Sequence, residues 1–192
     1  SKDERYLLAG YPWFKCRARD TFIALPGLTL SIEEQDYFEL VMKTAERALR
    51  EFMEGRPLTG KIVEIEQPDV MLWAIWAIQQ YDKHAGREKC CSMYGKLLKD
   101  IVYFILDGKH PNLEVKENGL VYTEGRDKAV TWMNSTVNGS PVVPRTGYIV
   151  EFNALWYNAL RYCACVAADM GNHVASADME RRADLCRASF VG

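Results

Sequence analysis

The stretch Asp69–Tyr81, DVMLWAIWAIQQY, decides the fold class. After one carboxylate it runs apolar on every side, which predicts a helix buried all round rather than one with a wet face. It is well short of the ~20 apolar residues that span a bilayer. Gly86 ends it, and residues 88–107 turn amphipathic through Cys90, Met93, Leu97, Ile101 and Phe104. The same couple recurs on either side. Upstream, RDTFIALPGLTL (19–30) predicts a short apolar helix interrupted by Pro26 and Gly27. Ser31 and Glu34 then form a capping-box pattern. The helix they open carries Phe38, Val41, Ala45, Ala48, Leu49 and Phe52 every three or four residues, until Gly55 and Pro57 stop it. Downstream, residues 149–170 are apolar on nearly all faces up to Gly171, and 174–190 return to a charged, one-faced pattern through Asp178 and Arg182.

Buried helix followed by amphipathic helix, three times over, is what an all-α toroid of helix pairs produces, with inner helices packed on both sides and outer ones facing water. A globular bundle fits the same periodicity. LEVKENGLVYT (113–123) alternates apolar and polar residues around Asn118-Gly119, so a small two-residue β-hairpin is expected in the long connection before the third pair. GYPWF (10–14) suits a packed aromatic loop. Three pairs do not close a ring of six, so residues 1–192 read as a single domain or as about half of one. An open half-ring exposes inner-helix surface, and self-association is the expectation.

Net charge is −2 over 192 residues, which gives no field to recruit nucleic acid or an anionic membrane. No signal peptide and no membrane-spanning run is evident. The six cysteines (Cys16, Cys90, Cys91, Cys163, Cys165 and Cys186) form no C-x-x-C pair and read as buried free thiols of a reducing, cytoplasmic compartment. His84, His110 and His173 fall near turns and read as surface residues, so no metal and no cofactor is expected. P-loop, dinucleotide-binding, serine-hydrolase and zinc-protease motifs are absent.

Thr131–Leu160 gathers an aromatic anchor, a polar loop and an apolar helix, and loops held on rigid helices are where chemistry concentrates. Several side chains carry two readings. Arg19-Asp20 enters the first apolar helix, where the two can bind sugar hydroxyls or simply pair with each other. Asp69 opens the second and is equally a good N-cap. Trp13, Trp73 and Trp132 are core residues or stacking platforms, while Trp76 and Trp156 read as core. Glu151, heading the third apolar helix, is an N-terminal helix charge or a carboxylate aimed into a pocket.

Taken in order, GYPWF, RDTFIALPGLTL, PDVMLW, TWMN and VEFNALWYNAL resemble the glucosidase domain of glycogen debranching enzymes, the amylo-α-1,6-glucosidase family, along essentially the whole chain. The resemblance implies part of an (α/α)6 barrel, its N-terminal half, from carbohydrate metabolism. It implies inverting hydrolysis of α-1,6-linked glucose at glycogen branch points, with an α-glucan as partner and without metal. Such chemistry needs a carboxylic acid and a carboxylate base roughly 6.5–9.5 Å apart. It further implies that Arg19 and Asp20 hold the terminal glucose, with Asp69, Trp73, Trp132 and Glu151 in the same cleft. The chain departs from the family at the fourth residue of the TWM block, where an aspartate in the place of the general acid is replaced by Asn134. An amide has no proton to give a leaving alkoxide, a loss of ~10²–10⁴-fold. Arg17-Ala18 replaces a Trp-Gly, Gln67-Pro68 stands in for a more polar run, and the family's base lies beyond residue 192. The alternative is a homologue that binds α-glucan without hydrolysing it.

Overall fold

The computed structural model describes residues 4–11 and 13–192. Pro12, within the GYPWF reading, lies outside the described residues. Six helices carry the fold: α1 Ala18–Thr29, α2 Gln35–Met53, α3 Val70–Ala85, α4 Arg87–Leu106, α5 Val150–Asp169 and α6 His173–Val191. The three apolar helices lie together, α1 against α3 and α3 against α5, and the amphipathic ones cover them. This is an all-α, toroid-type arrangement of helix pairs. Asn158 of α5 donates to Gln79 of α3 at 2.9 Å. The bond joins the two helices near their midpoints. Their buried faces make one core, with Phe22, Phe38, Ile75, Tyr81 and Trp156 among the side chains closed to solvent. Trp76, by contrast, is half-buried at the core's margin. The Trp156 indole N–H keeps a partner there, the Gly119 carbonyl at 3.2 Å.

Connections within a pair are tight. Gly86, at φ 88°, ends α3 and starts α4 in a single residue, a backbone angle that a side chain would strain. The two connections between pairs are long and lead into α3 and α5, as the N-terminal segment leads into α1. These segments hold three two-stranded ladders. β1 (Cys16–Arg17) pairs in parallel with β2 (Ile62–Val63), fixing the approach of the chain to α1 and α3. β3 (Glu114–Val115) and β4 (Val121–Tyr122) form one hairpin, and β5 (Thr136–Val137) and β6 (Ser140–Pro141) another.

Several local expectations are corrected. α1 is not interrupted: Pro26 and Gly27 lie inside it, and the hydroxyls of Thr29 and Ser31 bond back to the Leu25 and Gly27 carbonyls. Those bonds occupy carbonyls of the last turn. The capping box does not form, because Ser31 belongs to a short 3₁₀ turn, Leu30–Ile32, and α2 begins only at Gln35. The Asn118-Gly119 hairpin exists with a longer loop. The Gly119 N–H bonds to the Lys116 carbonyl, the Lys116 N–H to the Leu120 carbonyl, and Gly119 sits at φ 79°. That is a three-residue loop with glycine in the left-handed position. The two-residue turn occurs instead at Asn138-Gly139, φ 52° and 83°, between β5 and β6. In the GYPWF loop Gly10 and Phe14 pair, while Tyr11 and Trp13 stand about 85% exposed rather than packed. His110 is buried, not on the surface. Cys16, Cys90, Cys163 and Cys186 are buried free thiols, but Cys165 is exposed and Cys91 half-buried. Among the described residues no helix is long and apolar enough to cross a membrane.

Candidate functional site

The ends of α1 and α3 meet through a buried ion pair. The Arg19 guanidinium donates from Nε to Asp69 Oδ2 and from Nη2 to Asp69 Oδ1, both at 2.8 Å, a planar fork-to-fork match. Both side chains are almost fully buried. The Trp73 indole, one turn into α3, adds a third donor to Oδ2 at 3.1 Å. Asp69 occupies the N-cap position, yet its side chain makes no capping bond; it is committed to Arg19 and Trp73. Arg19 also donates to the Val130 carbonyl at 3.3 Å. The pair thus tethers the backbone immediately before Thr131-Trp132-Met133-Asn134. In this geometry Arg19 and Asp69 position the site's walls; their hydrogen-bonding capacity is spent largely on each other.

Beyond Val130 the buried Thr131 hydroxyl accepts from the Met133 N–H at 3.2 Å, turning the chain so that Trp132 stands 62% exposed. Asn134 is half-buried and makes no hydrogen bond among the described residues. The Asn138-Gly139 hairpin and a Val142 N–H bond to the Ser135 carbonyl then bring the loop back.

The third wall is α5. Glu151, in its first turn, is gripped at both oxygens by the Arg145 guanidinium, with Nη2 2.9 Å from Oε2 and Nη1 on Oε1. Partial burial pushes the Glu151 carboxyl up, but the Arg145 hydrogen bonds and charge outweigh it, so the group titrates below the usual carboxylate range. Arg145 is in turn located by Gly125: a Cβ at that buried position would collide with the Arg145 carbonyl oxygen and the Val130 side chain. The Gly125 N–H donates to Thr146 Oγ1 at 3.2 Å, and Thr123 and Gly147 form a bridge beside it. One glycine therefore lets the segments carrying Val130 and Arg145 close on each other.

Of the residues singled out from sequence, Arg19, Asp69 and Trp73 form one hydrogen-bonded cluster, and Val130 ties the Trp132–Asn134 turn to it. Glu151 belongs to a separate pair with Arg145. Asp20 is one helical step from Arg19, hence on another side of α1, where it is exposed beside Leu8, Ile23 and Leu28 in an apolar groove. It does not pair with Arg19. Arg17 pairs with Glu64 at 3.4 Å and lies over the Phe14 ring. Sequence reasoning missed Arg145, Gly125 and the Val130 carbonyl. Only Arg145 left a trace, as a lone cation shortly before a helix that opens on glutamate. No group of three or more His, Cys, Asp or Glu suited to a metal occurs among the described residues.

A family model described as amylo-alpha-1,6-glucosidase matches residues 1–191. No match was found among curated proteins or among solved structures.

Proposed function

Because this chain belongs to the amylo-alpha-1,6-glucosidase family, and so is a glycogen-debranching-type glycosidase domain, we propose that it holds the glucose side of an α-1,6-glucosidic site and binds α-glucan without itself supplying the acid for hydrolysis. The carrying observation is the state of the two candidate groups. Asn134 is an amide with nothing ionisable to give. Glu151 is held ionised by Arg145. General-acid catalysis requires a protonated group within reach of the leaving oxygen, and neither meets that requirement. Both suit binding: the Asn134 amide donates and accepts, the free lone pairs of Glu151 accept sugar hydroxyls, and Trp132 offers an exposed ring.

The row α1–α3–α5 with its outer helices supports reading residues 1–192 as the N-terminal half of an (α/α)6 barrel, the base of an inverting pair then lying in the other half. The exposed Ile23 and Leu28 on α1 support self-association of the isolated chain, to be read by light scattering. Free thiols support a cytoplasmic setting.

Isothermal titration of isomaltose and maltotriose, with glucose release assayed on the same sample, tests the reading. Binding without release is expected. Release by the wild-type chain overturns the assignment of Asn134. Asn134→Asp, placed in a chain that includes the second half of the domain, is expected to raise glucose release by ~10²-fold or more; no gain means the acid's surroundings have diverged as well.

A further inference from the structure

The long connection before α5 encloses a second cleft, of about 1130 Å³, which none of Arg19, Asp69, Trp73, Asn134 and Glu151 lines. Near the upper end of the ~300–1,000 Å³ usual for a small-molecule pocket, and open to solvent, it has room for a ligand longer than one sugar ring. Its charges balance: Lys116, Arg126 and Lys128 line it together with Glu114, Glu124 and Asp127, with Lys116 paired to Glu114 and the Tyr122 hydroxyl donating to Glu124. A wall of alternating sign holds neither a polyanion nor a polycation. It suits a neutral ligand whose hydroxyls each donate to a carboxylate and accept from a cation. Two tyrosines complete it, Tyr122 and Tyr148, edge to face at 5.5 Å. The Lys116 ammonium already covers the Tyr122 ring at 4.9 Å, whereas Tyr148 is 48% exposed. Among the lining residues, His110 alone keeps a buried polar atom, Nε2, without a partner.

We propose that this cleft is a second carbohydrate site, binding a linear segment of neutral glucan with Tyr148 as its stacking platform. The apolar C–H face of a sugar ring packs on an aromatic face, and the surrounding carboxylates, amines and the Asn112 amide oxygen, whose N–H donates to the Glu66 carbonyl, engage the equatorial hydroxyls. The proposal rests on the reading of the chain as a glucan binder, and adds that a long chain is gripped at a place distinct from the Trp132–Glu151 region. Tyr148 lies only three residues ahead of Glu151, so one glucan molecule can be held near a branch point and along its linear run together.

The test is calorimetric titration of maltoheptaose and of isomaltose into wild type, Tyr148→Ala, Tyr148→Phe and Trp132→Ala, with thermal melts confirming that these substitutions of exposed rings leave the fold intact. Tyr148→Ala is expected to weaken maltoheptaose about ten-fold or more, the equivalent of ~1.4 kcal/mol, while isomaltose is unchanged and Tyr148→Phe binds as wild type. Trp132→Ala is expected to weaken isomaltose. If isomaltose responds to Trp132→Ala but maltoheptaose ignores Tyr148→Ala, the second site is wrong and the proposed function stands. If Tyr148→Ala abolishes both, the cleft is not distinct and the proposal fails. If wild type binds neither sugar, both readings fail.

Discussion

Lowering the pH from 7.5 to 5 should destabilise this protein through one side chain, His110. Its imidazole is 4% exposed, edge-on to the rings of Phe52 and Phe104 at 5.5 and 6.2 Å. Nδ1 accepts the Asn112 N–H at 3.1 Å, which leaves the proton of the neutral ring on Nε2. Desolvation among these rings pushes the group from its ordinary 6.5 down to about 4, with no neighbouring charge contributing. The sign follows from proton counting. Above pH 6.5 both folded and unfolded states hold a neutral ring and the residue adds no pH dependence. Between 6.5 and about 4 the unfolded chain binds a proton that the folded one refuses, so stability falls with pH and levels off below 4. The full difference, about 2.5 units at 1.36 kcal/mol each, is ~3.4 kcal/mol, of which ~2 kcal/mol has been lost by pH 5. Carboxylates that titrate low, such as Glu151, remain ionised across this window.

Urea unfolding at pH 7.5 and 5.0 reads the effect directly, and His110→Phe is the control. Phenylalanine fits an aromatic box of this size and cannot titrate. It forfeits the bond from Asn112 equally at both pH values, so the loss appears as a constant offset. Wild type should lose ~2 kcal/mol between the two conditions, which is roughly 4–8 °C in Tm for a chain of this length, and the variant should lose much less. Equal losses in wild type and His110→Phe would refute the reasoning, because the pH dependence would then belong to other groups.

Two further substitutions probe the site's scaffold. Asp69→Ala strands the buried Arg19 guanidinium and should cost ~3–5 kcal/mol in urea unfolding, with much of it recovered in the Arg19→Met/Asp69→Leu double variant; a cost below ~1 kcal/mol would mean that water reaches the pair. Gly125→Ala places a methyl against the Arg145 carbonyl and the Val130 side chain and should cost ~1–3 kcal/mol or more. It should also loosen Arg145 from Glu151, so that the Glu151 carboxyl, followed by carbon-13 NMR, titrates higher than in wild type; an unmoved titration would show that Arg145 is held by something other than the Gly125 contact.

How far the sequence could be read depended on the range of the interactions involved. Helix existence and burial were legible because α3 and α5 are apolar on all sides and α2 on one, a pattern written within a single turn or two. Helix ends were not. Pro26 reads as a break, but α1 runs to Thr29 with Thr29 and Ser31 hydroxyls bonding its last carbonyls. Asn118-Gly119 marked a hairpin correctly but not its length, since Asn118 turns its side chain to accept the Leu120 N–H in a three-residue loop; the two-residue turn at Asn138-Gly139 went unread in a polar stretch. The site was legible as a set of residue types and not as a set of partners. Arg19 is adjacent in sequence to Asp20 and pairs with Asp69, fifty positions away. That choice is made by the packing of α1 on α3, which no local spacing encodes. His110 was misjudged for the same reason, since the aromatic box that buries it comes from α2 and α4.

On the proposed reading, position 134 separates binding from hydrolysis. The Arg19–Asp69 pair joins the N-terminal ends of α1 and α3, and the Arg19–Val130 bond with the Gly125 contact brings the segment leading into α5 to the same place. The partial positive charge of a helix N-terminus stabilises an ionised carboxylate within the first turn. Glu151 sits in that turn, and the Arg145 hydrogen bonds and charge, with its own backbone N–H, lower its carboxyl against the effect of burial. Such a turn is well suited to accepting hydrogen bonds from sugar hydroxyls and ill suited to storing a proton at neutral pH, which requires a raised carboxyl. On the proposed reading, a general acid belongs outside such a first turn, on a loop. The Thr131–Asn134 turn, tethered by the Val130 carbonyl to Arg19, is such a loop. On that reading, the amide of Asn134 leaves the loop with no proton to donate, while Glu151 still accepts hydrogen bonds.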